Sequence, residues 1–407
     1  MADSPPATLG VAAAPAVLAR AANRVRPHAR LLVLLSLGHL VIDANQGALA
    51  ALLPSLRGAH GLSYAQAGTI VLMGTLASSV IQPAFGWLAD RSARRWLLPL
   101  AVVLSGLGVG LLGVATGYAS LLALVLVMGL GVAAYHPEGY KTATGVAGDR
   151  KATGLAWFAL GGNVGIALGP PLITTLVAGL GLAGSLAMLV PSLAAAAMLL
   201  AVRPRLDRAE APAVSTARLA RGADMPRAMA LLILVVTLRS WTTLGFTTFV
   251  PFYYVDHLKA DPRVVGTLLF VFLGAGALGT VAAGPLADRW GPRRFMTWVF
   301  LAALPFGILF LETRGLLALV MLALFGAMLT SSFSVSVVLG QAYLPRHAGM
   351  ASGLIVGFAI GTGGLAVTLL GWIADHHGLP LALWISALLP AAGFAAARWL
   401  PAPGAVS

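Results

Sequence analysis

Length, composition and charge exclude an ordinary soluble protein. The chain has 407 residues, of which 59% are hydrophobic and only 10% are charged, and its mean hydropathy is +0.90. A soluble chain of this length needs far more polar surface. The formal net charge of +13 would suit nucleic acid, and the absence of cysteine excludes disulfides and thiolate metal sites.

Apolar stretches follow one another with short turns, and each is long enough to cross a bilayer as a helix of about 20 residues. They predict an all-α membrane protein with twelve helices, at 31–56, 64–89, 96–116, 119–141, 152–179, 181–202, 227–256, 264–287, 295–312, 315–343, 348–374 and 378–399. The predicted domains are a mobile cytoplasmic tail (1–30), an N-terminal six-helix half (31–202), a cytoplasmic linker (203–226), a C-terminal six-helix half (227–399) and a tail (400–407).

The basic residues lie mainly on one side of this arrangement. If the chain enters the first helix from the cytoplasm, 21 Lys and Arg fall on the inner side, 4 fall on the outer side, and Arg239 lies within a helix. This asymmetry is the positive-inside rule. The charge therefore reflects topology, and we expect a multi-pass protein of the bacterial inner membrane with both termini cytoplasmic and no nucleic-acid partner.

A repeated motif ties the two halves together. Both copies follow an apolar run and precede a basic turn, and their glycines lie 198 positions apart: Gly86-Trp87-Leu88-Ala89-Asp90-Arg91 and Gly284-Pro285-Leu286-Ala287-Asp288-Arg289. Two copies at half-chain spacing predict a duplicated membrane protein, with a substrate site between the halves near mid-membrane. The similar stretch 371–375 has a different offset, and we interpret it as an unrelated helix end.

Ionisable residues inside the first helix are candidates for proton coupling. His39 and Asp43 are four residues apart and share one helical face. Asp43 lies roughly 18 Å into the helix, near the midplane, where an acid is costly and commonly functional. The alternative is a hydrogen bond that only packs helices. Glu138 is the second candidate acid.

Arg239 and His136 are the candidates for binding an anionic group. Arg239 lies in the seventh helix at nearly the height of Asp43 and needs an anionic partner, either Asp43 or a substrate. An anion on Arg239 would remove its stabilisation of the Asp43 carboxylate, which would then take up a proton. His39, His136 and Asp43 together could bind a metal, but no tight spacing motif supports this, and we predict neither metal nor cofactor.

The repeated motif resembles the loops after helices 2 and 8 of the major facilitator superfamily of transporters. The resemblance implies a conformational latch formed by Gly86, Asp90, Arg91 and Arg95 and by Gly284, Asp288 and Arg289. In that superfamily the matching aspartate contacts helix 11 across the two halves and stabilises the outward-open state. The glycine-rich fifth helix resembles an exporter motif of the superfamily and supplies a helix-packing set of Gly165, Gly169 and Pro170.

Three further stretches resemble the fosmidomycin-resistance family of bacterial exporters. They are Gly38 to Asp43, His136-Pro137-Glu138 and Gly161-Gly162-Asn163. The resemblance implies proton-driven antiport of a small, often anionic drug such as a phosphonate antibiotic. An importer or uniporter of a metabolite with the same fold is one alternative, and a transport-inactive membrane receptor is another.

We expect the central cavity to lie between the two halves and to be amphipathic, with the small-molecule substrate, protons and the lipid bilayer as partners of a monomer. Its predicted substrate-binding residues are Arg239, His136, Asn163, Trp157, Phe158, Trp241, Phe246, Gln341 and Phe358.

Overall fold

The computed structural model describes residues 28–91, 94–148, 151–208, 223–359 and 361–403, without the side chains of 89–91, 151–153, 348, 349, 352 and 356. Within these ranges twelve helices are long and apolar enough to cross a membrane. In chain order, α1 to α12 are Ala29–His60, Tyr64–Leu88, Leu97–Val114, Tyr118–Val146, Gly154–Leu180, Leu182–Arg208, Pro226–His257, Val264–Trp290, Pro292–Glu312, Gly315–Tyr343, Gly357–His377 and Leu379–Ala397. The predicted fold class, two halves of six helices, is confirmed.

Local sequence signals set the turn between α1 and α2. Gly61 follows α1 with a left-handed φ of 63°, a conformation that glycine adopts without strain. Ser63 then caps α2 by accepting the backbone N–H of Gln66, while the Gln66 side chain accepts the backbone N–H of Ser63. These short-range bonds explain why the two helices can be joined by so few residues.

Glycines on α5 allow it to lie directly against α1. A Cβ atom on Gly161, Gly165 or Gly169 would collide with a backbone carbonyl oxygen of α1, those of Ser36, Leu40 and Ala44 respectively. The spacing of four residues keeps all three glycines on one face, as in other close membrane helix pairs. This contact fixes the height of α5 relative to α1. Pro170 is buried directly after Gly169.

Two π-helical turns meet between the halves. One spans Leu76–Val80 within α2, and the other spans Leu354–Ala359 at the start of α11. A Cβ on Gly361 would lie 3.2 Å from the Cβ of Ser79. Since π-helical turns often mark functional sites, these are natural places for the halves to move.

An ion pair and several hydrogen bonds join the halves at the end of the bundle that is predicted to face outward. Arg57 of α1 lies 3.2 Å from the Asp256 carboxylate of α7, and its Cζ lies 3.9 Å from the ring centroid of Tyr64. The Tyr64 hydroxyl donates to the same carboxylate at 3.0 Å. We call this end, which contains Arg57, Tyr64, Asp256 and Asp375, the outer end.

Asp375 forms the second contact at the outer end. Its carboxylate oxygens accept the backbone N–H groups of Tyr64 and Ala65 at 2.8 and 2.9 Å, across the two halves. The positive end of the α2 dipole favours an anion at this position. The stretch 371–375 lies at a helix end, as predicted, and its contact with α2 is additional, because an offset along the chain does not show which helices face each other.

Candidate functional site

Three titratable side chains from two helices meet inside the first half. His39 and Asp43 of α1 are in contact, with 3.4 Å between the His39 Nε2 and the Asp43 Oδ2. His136 of α4 approaches the other carboxylate oxygen, also at 3.4 Å. The two imidazole Nε2 atoms are 3.2 Å apart. We call His39, Asp43 and His136 the proton cluster, for the reason argued below.

Backbone carbonyls define which ring nitrogens carry hydrogen. The Nδ1 atom of His39 lies 2.8 Å from the Phe158 carbonyl oxygen, and that of His136 lies 2.9 Å from the Val132 carbonyl oxygen. A carbonyl oxygen only accepts, so each Nδ1 is the donor. In the neutral rings both Nε2 atoms are then acceptors, and they face each other and a carboxylate. Three acceptor groups this close together repel one another unless a proton lies between them.

Neighbouring residues hold the cluster in place. The Phe158 ring stacks on the His39 ring with a centroid distance of 4.3 Å. Tyr135 donates its hydroxyl to the Leu35 carbonyl oxygen at 2.9 Å. On α5, a Cβ on Gly162 would lie 2.5 Å from the Asp43 Oδ2 and 2.6 Å from the His39 Cε1. The space that the cluster occupies therefore exists because residue 162 is glycine.

The cluster is only partly shielded from water. The side chain of His39 is 3% exposed, whereas Asp43 and His136 are 13% and 18% exposed. The rings of Tyr135, Tyr140 and Phe158 lie around His39, the Tyr140 ring 6.0 Å from that of His39. Glu138 is buried on α4, two residues after His136, and has an interaction of its own. Asp43 and His136 are thus the partly exposed members of the cluster, and His39 contacts both of them.

The three side chains of the cluster could also act as ligands of a metal ion. One ligand atom from each residue lies within 4.8 Å of the others. A divalent ion with one carboxylate would leave a net positive charge inside the bundle, which is costly in an apolar setting. A single added proton leaves the cluster neutral. The charge balance favours the proton.

Arg239 has a different environment in the second half. It is 5% exposed, its Cζ lies 5.5 Å from the Phe333 ring centroid, and its Nε is buried without a hydrogen-bond partner. Within the described part of the chain no ion pair includes Arg239, and Asp43 pairs with His39 and His136. The expected contact between Asp43 and Arg239 is therefore absent in this conformation.

A small cavity lies between the halves, close to both sites. It measures about 150 Å³ and is lined from the first half by Gln46 and Val132 and from the second by Thr243 and Thr247. Gln46 is three residues after Asp43 on α1. The Val132 carbonyl holds the His136 ring, and Thr243 donates to the Arg239 carbonyl oxygen at 3.0 Å. The cavity lining therefore begins about one helical turn from Asp43 on α1 and from Arg239 on α7, although neither side chain lines it.

Other predicted binding residues occupy varied positions. Trp157 and Phe358 are 61% and 58% exposed, Gln341 is exposed, and Asn163 and Trp241 are half-buried. Phe246 is fully buried against Phe272, Phe310 and Phe325, so it belongs to the core of the second half and not to the cavity wall. Phe158 supports His39, and His136 lies in the proton cluster and not beside Arg239.

The predicted latch is only partly described. The side chains of Asp90 and Arg91 lie outside the described residues. Arg95 is buried and pairs with Asp207 of α6 at 2.9 Å, within the same half. Asp288 and Arg289 are exposed, and a Cβ on Gly284 would meet no atom within 4 Å. Sequence reasoning had no signal for the Arg95–Asp207 pair, because its partners are 112 residues apart.

Two six-helix halves with titratable groups and a cavity between them define a membrane transport protein. A family model described as Major Facilitator Superfamily matches residues 35–355 and 230–407. The chain belongs to the major facilitator superfamily, and it is a transporter and not an enzyme.

Two curated bacterial proteins are similar along most of the chain. The fosmidomycin resistance protein of Escherichia coli (strain K12) is 31% identical over 405 residues, covering 97% of this chain and 96% of that protein. The uncharacterized MFS-type transporter YfnC of Bacillus subtilis (strain 168) is 32% identical over 374 residues, covering 90% and 91%. The resemblance to the fosmidomycin-resistance family is confirmed.

Solved structures share the fold at lower identity. A bacterial homolog of the human lysosomal transporter Spinster superimposes with a TM-score of 0.74 at 16% identity, covering 91% of this chain and 97% of that one. The nucleoside transporter NupG, as its D323A mutant, gives a TM-score of 0.76 at 14% identity, covering 91% and 99%. Together they confirm the major facilitator fold.

Proposed function

We propose that this transporter exports a small anionic compound in exchange for protons that enter through the proton cluster. It would act in the bacterial cytoplasmic membrane with both termini in the cytoplasm. The observation that carries the proposal is the approach of two imidazole Nε2 atoms and one carboxylate to 3.2–3.4 Å. The name of the Escherichia coli relative supports a drug-like substrate.

The cluster has the chemistry of a proton carrier. Because both Nδ1 atoms donate to carbonyl oxygens, an added proton must bind an Nε2 atom or the carboxylate. Once bound, it replaces repulsion between acceptors by a hydrogen bond, and it cancels the carboxylate charge. Losing the proton would then drive the three groups apart. Such a change in geometry is what couples proton binding to movement of α1 relative to α4.

Arg239 is proposed to bind the anionic group of the substrate. Its guanidinium is buried, always charged, and free of ion pairs within the described residues. Guanidinium binds carboxylate, phosphate or phosphonate through two parallel hydrogen bonds. The adjoining cavity of about 150 Å³ is smaller than typical ligand pockets of roughly 300–1,000 Å³. The halves must therefore separate to admit a substrate.

Substrate binding and proton binding are then coupled because they favour different conformations of the transporter. The outer-end contacts hold the halves together on one side, so we interpret this conformation as closed to the outside. The sequence-based scheme, in which an anion on Arg239 makes Asp43 take up a proton, requires the contact between Asp43 and Arg239 that is absent here. Instead, the substrate is proposed to bind the conformation in which the deprotonated groups of the cluster have moved apart, so that substrate binding releases the proton. In this scheme His39 and His136 are the partners of the Asp43 carboxylate, a role for which the sequence analysis considered Arg239. Glu138 remains the second candidate proton carrier.

Transport in proteoliposomes tests the proposal. With an inwardly directed proton gradient, wild-type protein is expected to move fosmidomycin or another phosphonate against its concentration gradient, and Asp43→Asn is expected to retain only exchange. The exposed Asp261→Asn, three residues before α8, is a matched acid-to-amide control that should transport normally. Uphill movement by Asp43→Asn at the wild-type rate would refute the assignment of the proton carrier.

The direction of transport is read from the same vesicles. An importer would accumulate the compound together with protons, whereas an exporter accumulates it against proton flow. A transport-inactive receptor would bind the compound without flux under either gradient. Accumulation in the direction of proton flow would refute the antiport proposal.

A further inference from the structure

A deep groove opens on the second half, away from the interface between the halves. It has a volume of about 720 Å³ and lies between α8 and α9, with α10 as its floor. The helices α8 and α9 each pack extensively on α10 but contact each other little. Small residues line it at Gly279, Ala282, Ala302 and Ala327. Since no large side chain fills the space, the groove can hold a hydrocarbon chain.

The groove continues into a basic pocket at the end of the bundle that is predicted to face the cytoplasm. This second pocket has a volume of about 850 Å³ and shares Trp290, Arg294 and Trp298 with the groove. It adds Arg293 and Arg398. One continuous surface therefore runs from an apolar trough to a cluster of arginines between two tryptophans.

Among the described residues that line the groove and the pocket, arginines are present and acidic residues are not. No aspartate or glutamate lines either part of the surface, and the ion pairs found within the described ranges include none of its arginines. Arg293 donates to the Arg398 backbone carbonyl oxygen at 3.2 Å, and the Arg398 guanidinium lies 5.8 Å from the Phe394 ring centroid. Arg293, Arg294 and Arg398 thus line one pocket without an acidic residue among the residues that line it.

We propose that this surface binds an anionic phospholipid of the cytoplasmic leaflet, with an acyl chain in the groove and the phosphate on Arg293, Arg294 and Arg398. Arginines bind phosphate through paired hydrogen bonds, and basic pockets between membrane helices are suited to anionic headgroups. Trp290 and Trp298, which are 51% and 57% exposed, are amphipathic residues typical of the headgroup level.

Ordinary topology explains part of this surface but not all of it. The positive-inside rule requires basic residues near the cytoplasmic ends of helices, and α6 meets it with Arg203, which pairs with Asp207 at 3.8 Å. The rule does not require that three arginines converge on one pocket or that the pocket join an apolar groove. A lipid that has both an anionic head and a hydrocarbon tail matches both parts of the surface.

The binding of defined lipids to purified full-length protein tests the proposal without any transport measurement. Native mass spectrometry would compare phosphatidylglycerol with phosphatidylcholine. We expect preferential binding of phosphatidylglycerol, and we expect the triple variant Arg293→Gln, Arg294→Gln, Arg398→Gln to weaken it on the order of 100-fold, at a factor of about five for each basic side chain. The matched control removes the same charge from the same leaflet at Arg203, Arg205 and Arg208 and should bind as wild type.

A second variant tests the groove independently of charge. Ala302→Phe would fill the trough while leaving the arginines in place, and it should reduce the binding of long-chain phosphatidylglycerol more than that of a short-chain form. Equal binding of the two headgroups, or equal losses in both triple variants, would overturn the proposal. Competition by inorganic phosphate alone, with no dependence on chain length, would also overturn it by indicating a soluble anion site.

Discussion

The two halves bury different kinds of charged group. In the first half, His39, Asp43 and His136 form a cluster that can gain or lose a proton. In the second half, Arg239 keeps its charge and lies against Phe333. The two halves thus share their arrangement of helices but differ in the charged residues that they bury. The first half can bind and release a proton, whereas the second half carries a permanent positive charge that attracts an anion.

Replacing His136 should have the largest effect, because it removes one of the three groups of the proton cluster. His136→Gln leaves Asp43 and His39 without the third acceptor, and we expect gradient-driven export to be lost. If His136 served anion binding alone, together with Arg239 as predicted from the sequence, only the KM for substrate would rise. The exposed His376→Gln provides the control, and transport with and without a pH gradient is the measurement.

Changing Arg239 should have the next largest effect, on the second half alone. Arg239→Lys keeps the charge and loses the paired hydrogen bonds, so anion binding should weaken roughly 10- to 100-fold. Proton coupling by the substrate that still binds should remain. Binding of a phosphonate, a carboxylate and a neutral analogue measures this effect, and unchanged affinity for all anions would remove Arg239 from the site.

Adding a methyl group at Gly162 tests whether the space around the cluster matters for transport. The new Cβ would lie 2.5 Å from the Asp43 Oδ2, and overpacking of this kind costs about 1–3 kcal/mol. Export should fall while the protein still folds. Gly179→Ala, on the same helix, adds a methyl group that meets no atom within 4 Å. Equal transport by the two alanine variants would show that space at Gly162 does not matter.

The smallest effects are expected at the two ends of the interface. Asp375→Asn removes a charge from the N-terminus of α2, worth about 0.3–1 kcal/mol, and should shift the population toward an outward-open state. Asp90→Asn, in the predicted latch, should shift it toward an inward-open state. Distance distributions between spin labels on the two halves measure both shifts. Changes in the same direction would contradict the assignment of opposite ends.

The fold could be predicted from sequence because its signals are local or periodic. Each spanning helix is a predominantly apolar stretch long enough to cross the bilayer, and the 198-residue spacing between Gly86 and Gly284 reveals the duplication. Helix ends were less predictable. For example, the helix α6 continues to Arg208 instead of ending near 202, since a polar face is tolerated once a helix leaves the membrane.

The site was only half predictable, for a physical reason. His39 and Asp43 share a helical face, so their spacing of four residues predicts their contact. His136 is 97 residues from His39, and only the packing of α4 on α1 brings the rings together. Phe246 was misplaced for the same reason, because an aromatic residue on an apolar helix gives no sign of whether its ring faces a cavity or the core.

Release of protons on substrate binding tests the central claim most directly. Purified protein in weakly buffered solution would be titrated with a transported phosphonate while a pH indicator records the change. The account predicts that the wild-type protein and Asp261→Asn release protons on binding, and that Asp43→Asn binds the same compound without release. Equal proton release from Asp43→Asn would contradict the assignment of the transported proton to the cluster of His39, Asp43 and His136.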